Sequence, residues 1–62
     1  TGIVIEIKYP DDGNLEAGCR DALAQIEEKG YAARLLQNGM KNIIRYGIAC
    51  YKKTCNVISL YS

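Results

Sequence analysis

Apolar and polar side chains alternate strictly at the start of the chain, over residues 3–8 of "GIVIEIKYP". Alternation with a period of two is typical of a β-strand, in which successive side chains point to opposite faces. The members of one face are Ile3, Ile5 and Ile7, and those of the other are Val4, Glu6 and Lys8. We expect the isoleucine face to contact a core. Pro10 ends the strand, because proline has no backbone donor for the ladder.

The period changes to that of a helix after the turn "PDDG". Asn14 is a good N-cap, and Gly30 is a natural C-terminal stop. Between them, apolar residues recur at spacings of three and four, which predicts one apolar stripe along a helix. The stripe consists of Leu15, Cys19, Ala22, Leu23 and Ile26. Gly18 lies at its edge, where glycine is unfavourable in a helix unless the helix closely approaches a sheet.

The second half of the chain predicts a short helix and a β-hairpin. The short helix is "YAARLLQ", residues 31–37, closed by Asn38 and Gly39. A strand over residues 42–50 and a last strand over residues 55–61 flank the polar turn "YKKT" at residues 51–54. Gly47 inside the first of these strands indicates a bulge or a close backbone approach.

The predicted fold class is α/β, in the order strand, helix, short helix, strand, strand. One main helix packed on a small mixed sheet is the simplest arrangement of these elements. The main helix can serve as the crossover that brings the first strand parallel to a later one. Residues 1–62 form a single domain with a thin core, because a chain of 62 residues buries only a modest share of its surface.

Composition and charge narrow the classes of partner. Eight basic and seven acidic residues give a net charge of +1, so no strong basic field favours unaided nucleic-acid binding. A phosphate-bearing partner would need a local site. No apolar run approaches the length of about 20 residues that spans a bilayer, and no segment resembles a signal peptide. We expect a cytoplasmic protein without a membrane partner. The start at Thr1, directly before a strand, favours a piece of a longer protein.

The three cysteines, Cys19, Cys50 and Cys55, allow more than one interpretation. Three reduced, partly buried thiols of a cytosolic protein are favoured. A cross-strand disulfide between Cys50 and Cys55 is the alternative, and a redox-active module using both thiols is a third hypothesis. Zinc is disfavoured, because the chain has no histidine and no Cys-x-x-Cys spacing.

Glu6 and Lys8 are the candidate catalytic and metal-binding residues. On one strand face their Cβ atoms lie about 6–7 Å apart, so the two charged groups can converge on one small object. A carboxylate is a suitable ligand for Mg²⁺, and an ammonium group can orient the attacking water and offset charge in phosphodiester hydrolysis. Solvated charges on a half-exposed strand are the alternative, which spacing alone favours.

Three segments together resemble a known family. "IVIEIK" is similar to the Glu-x-Lys strand of the PD-(D/E)XK nuclease superfamily. "LEAGCRDALAQIEEKGYAARL" is similar to the helix that follows in one branch, and "IIRYGIACYKKTCNVISLYS" to its closing strands. This branch is the nuclease-like domain found C-terminal to AAA-type ATPase-like regions. The resemblance covers nearly the whole chain and depends on the combination of the three segments.

The resemblance implies a role for three residues. Glu6 matches the metal ligand, Lys8 the catalytic lysine, and Gln25 a helix glutamine that lies near the active site in related nucleases. A helix-flank side chain that caps a neighbouring strand is the alternative for Gln25. The implied cofactor is Mg²⁺. The family's motif also needs an aspartate on an upstream strand, which this chain lacks; Asp11 and Asp12 lie in a turn and are poor substitutes. Mg²⁺ binding should therefore be weak, since a lone carboxylate is a poor site.

The resemblance also implies a partial restriction-endonuclease-like core and a function. The chain would be the C-terminal part of a Mg²⁺-dependent nuclease-like domain that is inactive in isolation, acting on nucleic acid with DNA favoured over RNA. Whether it is an enzyme stays open. The alternative is a non-catalytic module that docks on an ATPase-like domain of the same parent protein, or forms a homo-oligomer through the exposed edge of its first strand.

Four further residues are candidates for contact with nucleic acid or with the core. Tyr31 matches the tyrosine that follows the helix, and packing is its favoured role. Arg34, Lys41 and Arg45 can reach a nucleic-acid backbone, but solvated surface charges are the favoured interpretation for all three.

Overall fold

A computed structural model describes residues 1–61 and shows five elements in the predicted order. They are strand β1 (Gly2–Lys8), helix α1 (Leu15–Lys29), helix α2 (Tyr31–Gln37), strand β2 (Ile43–Tyr51) and strand β3 (Thr54–Tyr61). The predicted α/β class, with one main helix on a small mixed sheet, is confirmed. The predicted strand limits shift slightly: β2 extends through Tyr51, and β3 begins at Thr54.

The sheet has the strand order β1-β2-β3. β1 pairs with β2 in parallel, with Glu6 opposite Gly47 and Lys8 opposite Ala49. The two helices form the crossover between these parallel strands, as predicted. β2 and β3 form an antiparallel hairpin, so β1 and β3 are the edges of the sheet.

Local interactions fix both ends of α1. Asn14 is the N-cap of α1, as predicted. Its Oδ1 atom accepts a hydrogen bond of 3.1 Å from the amide of Ala17. Gly30 adopts a left-handed conformation with φ of 71°, and its amide donates to the carbonyl of Glu27 at 3.1 Å. Glycine suits this position because side chains disfavour a positive φ.

The core lies between α1 and one face of the sheet, and the prediction for the isoleucine face is wrong. Ile3, Ile5 and Ile7 are 57%, 55% and 45% exposed, whereas Val4 on the opposite face is 8% exposed. α1 covers the face that Val4 shares with Gly47 and Ala49 of β2, whose small size lets the helix come close to the sheet. The main core cluster comprises Val4, Leu23, Ile26, Ala32 and Ile43.

Two glycines allow α1 to approach the sheet closely. A Cβ atom at Gly47 would lie 2.4 Å from the carbonyl oxygen of Cys19 and 2.7 Å from Cγ of Leu23. A Cβ atom at Gly18 would lie 2.7 Å from Cβ of Ala49. The close approach predicted at both glycines is confirmed, and the unbroken register through Gly47 shows that it is not a bulge.

A tight turn and a disulfide close the β2–β3 hairpin. Lys52 and Lys53 form the turn, and Lys52 has a φ of 55°. Cys50 and Cys55 lie opposite each other and are disulfide-bonded. The favoured interpretation of three reduced thiols is therefore wrong for this pair, and the alternative is correct. Cys19 is a free, buried thiol.

Candidate functional site

The charged pair of β1 lies on the face that α1 covers. Glu6 and Lys8 alternate with the exposed isoleucines, so they share the face of Val4, and both are half-buried. Val4 occupies the core, and the two charged residues continue the same face toward the C-terminal end of the strand. The two charged residues therefore lie where this face leaves the core and reaches the flank of α1.

Lys8 has a specific partner on α1. Its Nζ atom donates a hydrogen bond to Oε1 of Gln25, across a sequence separation of 17 residues. Gln25 lies one residue before the fully buried Ile26, so packing of Ile26 sets the rotation of the helix that aims Gln25 at β1. The structure therefore joins two of the three predicted site residues by a direct contact.

A cleft of about 320 Å³ opens beside this contact. Its lining residues are Lys8, Asp21, Ala24, Gln25 and Glu28. The four helix residues have spacings of three, four and seven, which places them on one stripe of α1. The cleft is open to solvent, and its lining includes one ammonium group and two carboxylates. It is large enough to admit several water molecules or a small polar group.

Asp21 and Glu28 were missed in the sequence analysis. Their signal was present, because both stand at helical spacing from Gln25 on the polar flank of the apolar stripe. Glu6 is not among the residues that line this cleft within residues 1–61, although it shares the strand face of Lys8.

The described residues do not make a complete metal site. No group of three or more His, Cys, Asp or Glu side chains within residues 1–61 is arranged to hold a metal ion. Glu6 offers one carboxylate, whereas protein Mg²⁺ sites combine one or two carboxylates with substrate phosphates and waters. Asp12 is engaged elsewhere, since its Oδ1 atom accepts a hydrogen bond of 3.0 Å from the amide of Asn14.

Tyr31 and Arg45 both belong to the packing of the fold. Tyr31 packs against the core cluster, with Lys29 and Arg34 5.8 and 6.0 Å from its ring centroid. The prediction that Arg45 is a solvated surface charge is wrong. Its side chain is 13% exposed, and its Nε atom lies 2.6 Å from Oε1 of Glu27. This ion pair links β2 to α1.

Arg34 and Lys41 are exposed, in agreement with the prediction for them. Neither lines the Lys8–Gln25 cleft. None of the helices formed by residues 1–61 combines the length and the apolar character needed to cross a bilayer.

The fold and the site together define a class of protein. It is a small α/β protein whose parallel edge strand turns a Glu-x-Lys pair toward the crossover helix, where a glutamine contacts the lysine. A family model of the PD-(D/E)XK nuclease superfamily matches residues 1–60. The chain therefore belongs to the PD-(D/E)XK nuclease superfamily. Comparison with curated proteins gives no significant match. Comparison with solved structures likewise gives none.

Proposed function

We propose that this chain carries the Glu-x-Lys part of the active site of a nuclease-like domain that hydrolyses phosphodiesters. The observation that carries the proposal is the hydrogen bond from Lys8 to Gln25 beside an open cleft, on the strand face that also bears Glu6. A lysine that serves only solubility has no need of a fixed acceptor on a neighbouring helix.

Each residue has a distinct task in this proposal. Lys8 presents its ammonium group to the phosphate, where a positive charge favours the more highly charged transition state. Gln25 holds that ammonium group and limits its rotamers, so that less side-chain entropy is lost when substrate binds. Glu6 supplies a carboxylate for a divalent cation, which when bound supplies Lewis-acid chemistry.

The cation site requires at least one ligand from outside residues 1–61. Membership of the superfamily supports the use of a divalent metal, since these nucleases generally use one. Within residues 1–61, Glu6 alone is an incomplete set of ligands for it. We therefore propose that residues 1–62 are the C-terminal part of a nuclease-like domain in a cytoplasmic parent protein, and that an upstream aspartate completes the site. In isolation the chain should be inactive.

The proposed substrate is nucleic acid, with DNA favoured over RNA. Family membership supports this class of substrate. The net charge of +1 provides little long-range attraction for a polyanion, so binding must depend on local contacts such as those of Lys8.

The test is a nuclease assay on the longer parent protein with Mg²⁺ or Mn²⁺. We expect Glu6→Gln and Lys8→Ala each to lower the cleavage rate by about 100-fold or more, the usual effect of losing a preorganised charge at a reacting group. Glu16→Gln and Lys53→Ala are matched controls, because both residues are exposed and lie outside the Lys8–Gln25 cleft. Cleavage that is unchanged by both site substitutions would contradict the proposal.

A second candidate function is a non-catalytic interaction module, and one observation favours it. β1 is an edge strand with three exposed isoleucines, which is typical of a surface that pairs with another chain. The proposed partners are an ATPase-like domain of the same parent protein or another copy of the chain. The parent sequence separates the two functions: an aspartate on the strand just upstream supports catalysis, and an apolar residue there supports binding.

A further inference from the structure

The β2–β3 hairpin holds a pair of cysteines in direct opposition. Cys50 and Cys55 are cross-strand partners in the register, with a Cα–Cα distance of 4.1 Å. The two side chains lie on the face of the sheet opposite α1. Cys55 is exposed and Cys50 is half-buried, so solvent and small molecules reach the bond from the side of Cys55.

Little else attaches β3 to the molecule. Of its eight residues, Ile58 is half-buried and the other seven are exposed. Besides its ladder with β2, β3 packs Ile58 against the core cluster, and the carbonyl oxygen of Asn56 accepts a hydrogen bond of 3.2 Å from Sγ of Cys19 in α1. A strand that buries so little apolar surface belongs to the low-stability part of a fold.

The turn itself opposes hairpin formation. Lys52 has a φ of 55°, at a position of a two-residue β-turn where glycine or asparagine is preferred. A lysine there is disfavoured relative to glycine. The cross-strand bond acts against this local preference, because it keeps the two strands in register on either side of the turn.

We propose that Cys50 and Cys55 form a reversible thiol–disulfide site that exchanges with small disulfides of the glutathione class, and that its redox state controls the order of β3. This proposal stands apart from the nuclease function, since it uses neither Glu6 nor Lys8. It also accounts for a disulfide in a protein that we propose to be cytoplasmic, where such bonds are usually transient.

The exchange proceeds in two balanced steps. The thiolate of Cys55 attacks one sulfur of glutathione disulfide, forming a mixed disulfide and releasing one glutathione thiolate. The thiolate of Cys50 then attacks the Cys55 sulfur, forming the Cys50–Cys55 bond and releasing the second glutathione. Two protein thiols lose two electrons and two protons, and glutathione disulfide gains both as it becomes two glutathione molecules.

The first measurement counts accessible thiols in the folded protein across a series of glutathione redox buffers. Samples are labelled with a maleimide in native solution, and the labels are counted by intact mass. We expect two labels under reducing conditions and none under oxidising conditions, with Cys19 labelled only after denaturation because it is buried. A pair that stays reduced in the most oxidising buffer, or that is reduced only when the protein unfolds, would overturn the proposal.

Single substitutions test the order of attack. With glutathione disulfide, Cys50→Ser leaves the exposed Cys55 and should form a mixed disulfide about ten-fold faster than Cys55→Ser, which leaves the half-buried Cys50. Equal rates, or the reverse order, would contradict the assignment of Cys55 as the attacking residue.

The last measurement tests control of β3 by amide hydrogen exchange. Reduction should raise exchange about ten-fold in residues 56–61 and leave the buried face of α1 unchanged. Lys52→Gly should reduce this difference between the two redox forms, because it removes the opposing turn preference, and Lys53→Gly is its matched control. Identical exchange of β3 in the oxidised and reduced proteins would overturn the proposed control.

Discussion

Lys8 and Gln25 meet although 17 residues separate them, and each comes from a different element. A lysine at the end of a strand normally extends into water, where it loses no side-chain entropy. Here α1 presents an amide oxygen to its ammonium group. Since a hydrogen bond to a charged group is among the stronger ones, this contact gives Lys8 a defined position at the cleft.

Gln25→Leu should release the ammonium group of Lys8 without unfolding the protein. Leucine keeps a similar size and a high helix propensity but offers no acceptor. We expect the ¹⁵N signal of the Lys8 ammonium group to broaden through faster proton exchange with water. Gln37→Leu, at the exposed end of α2, is the control that should leave this signal unchanged. A Lys8 signal that survives Gln25→Leu would show that the contact is unimportant in solution.

Gly47 has no room for a side chain. We expect Gly47→Ala to lower the free energy of unfolding by about 2–3 kcal/mol, because its Cβ atom would collide with the backbone of α1. Gly39→Ala is the comparison, because its new Cβ atom would have no neighbour within 4 Å. Only the positive φ of 95° should then lower the free energy of unfolding, by about 1 kcal/mol. Urea denaturation of both variants measures the difference. Equal losses would mean that α1 moves away from the sheet at little cost.

At the scale of elements, alternation in β1 predicted the strand correctly but not its buried face. The sequence offers three isoleucines on one side, and hydrophobicity alone selects that side. The deciding information lies in another element, namely the small residues of β2, Gly47 and Ala49, against which α1 packs. A single strand cannot reveal this, because it depends on how the elements pack.

Substitutions on the two faces of β1 should differ in their effect on stability. Val4→Ala removes apolar atoms from the core and should lower the free energy of unfolding by about 2 kcal/mol. Ile5→Ala removes more atoms from a residue that is 55% exposed, yet should cost less than about 1 kcal/mol. Thermal and urea denaturation of the pair provide the measurement. A larger loss of stability for Ile5→Ala than for Val4→Ala would indicate that the isoleucine face contacts the core.

The whole molecule has one covered and one open sheet face. Within residues 1–61, the open face carries apolar side chains from all three strands and no charged residue. Its apolar members are Ile3, Ile5, Ile7, Ile44, Tyr46, Ile48, Val57 and Tyr61. An apolar area of this kind on a small protein reduces its solubility in water.

Ile5→Lys should raise the solubility of the isolated chain by about two-fold or more, because it places a charge at the centre of the open face. Leu36→Lys is the matched control: Leu36 is 50% exposed but lies on α2, away from this face. The saturation concentration of each variant, with light scattering, is the measurement. An equal gain for both variants would indicate that net charge, and not the open face, limits solubility.

The sequence predicted the element order, both helices and the caps of α1, because these depend on local patterns. It offered Glu6 and Lys8 as candidates from their spacing, and Gln25 from a family resemblance, but not that Asp21 and Glu28 line the cleft beside the lysine, since that requires the rotation of α1 over β1. It left the pairing of Cys50 and Cys55 open for a related reason. Register decides whether two cysteines oppose each other, and the hairpin turn proved two residues long instead of four.

Gly18 and Gly47 have a consequence for the site itself. Because neither residue has a Cβ atom, α1 lies so close to β2 that the carbonyl oxygen of Cys19, the Leu23 side chain and the methyl group of Ala49 fill the space that a Cβ atom would take. Gln25 is carried on that helix and Lys8 on the strand beside β2. A side chain at either glycine would therefore also move the amide acceptor away from the ammonium group.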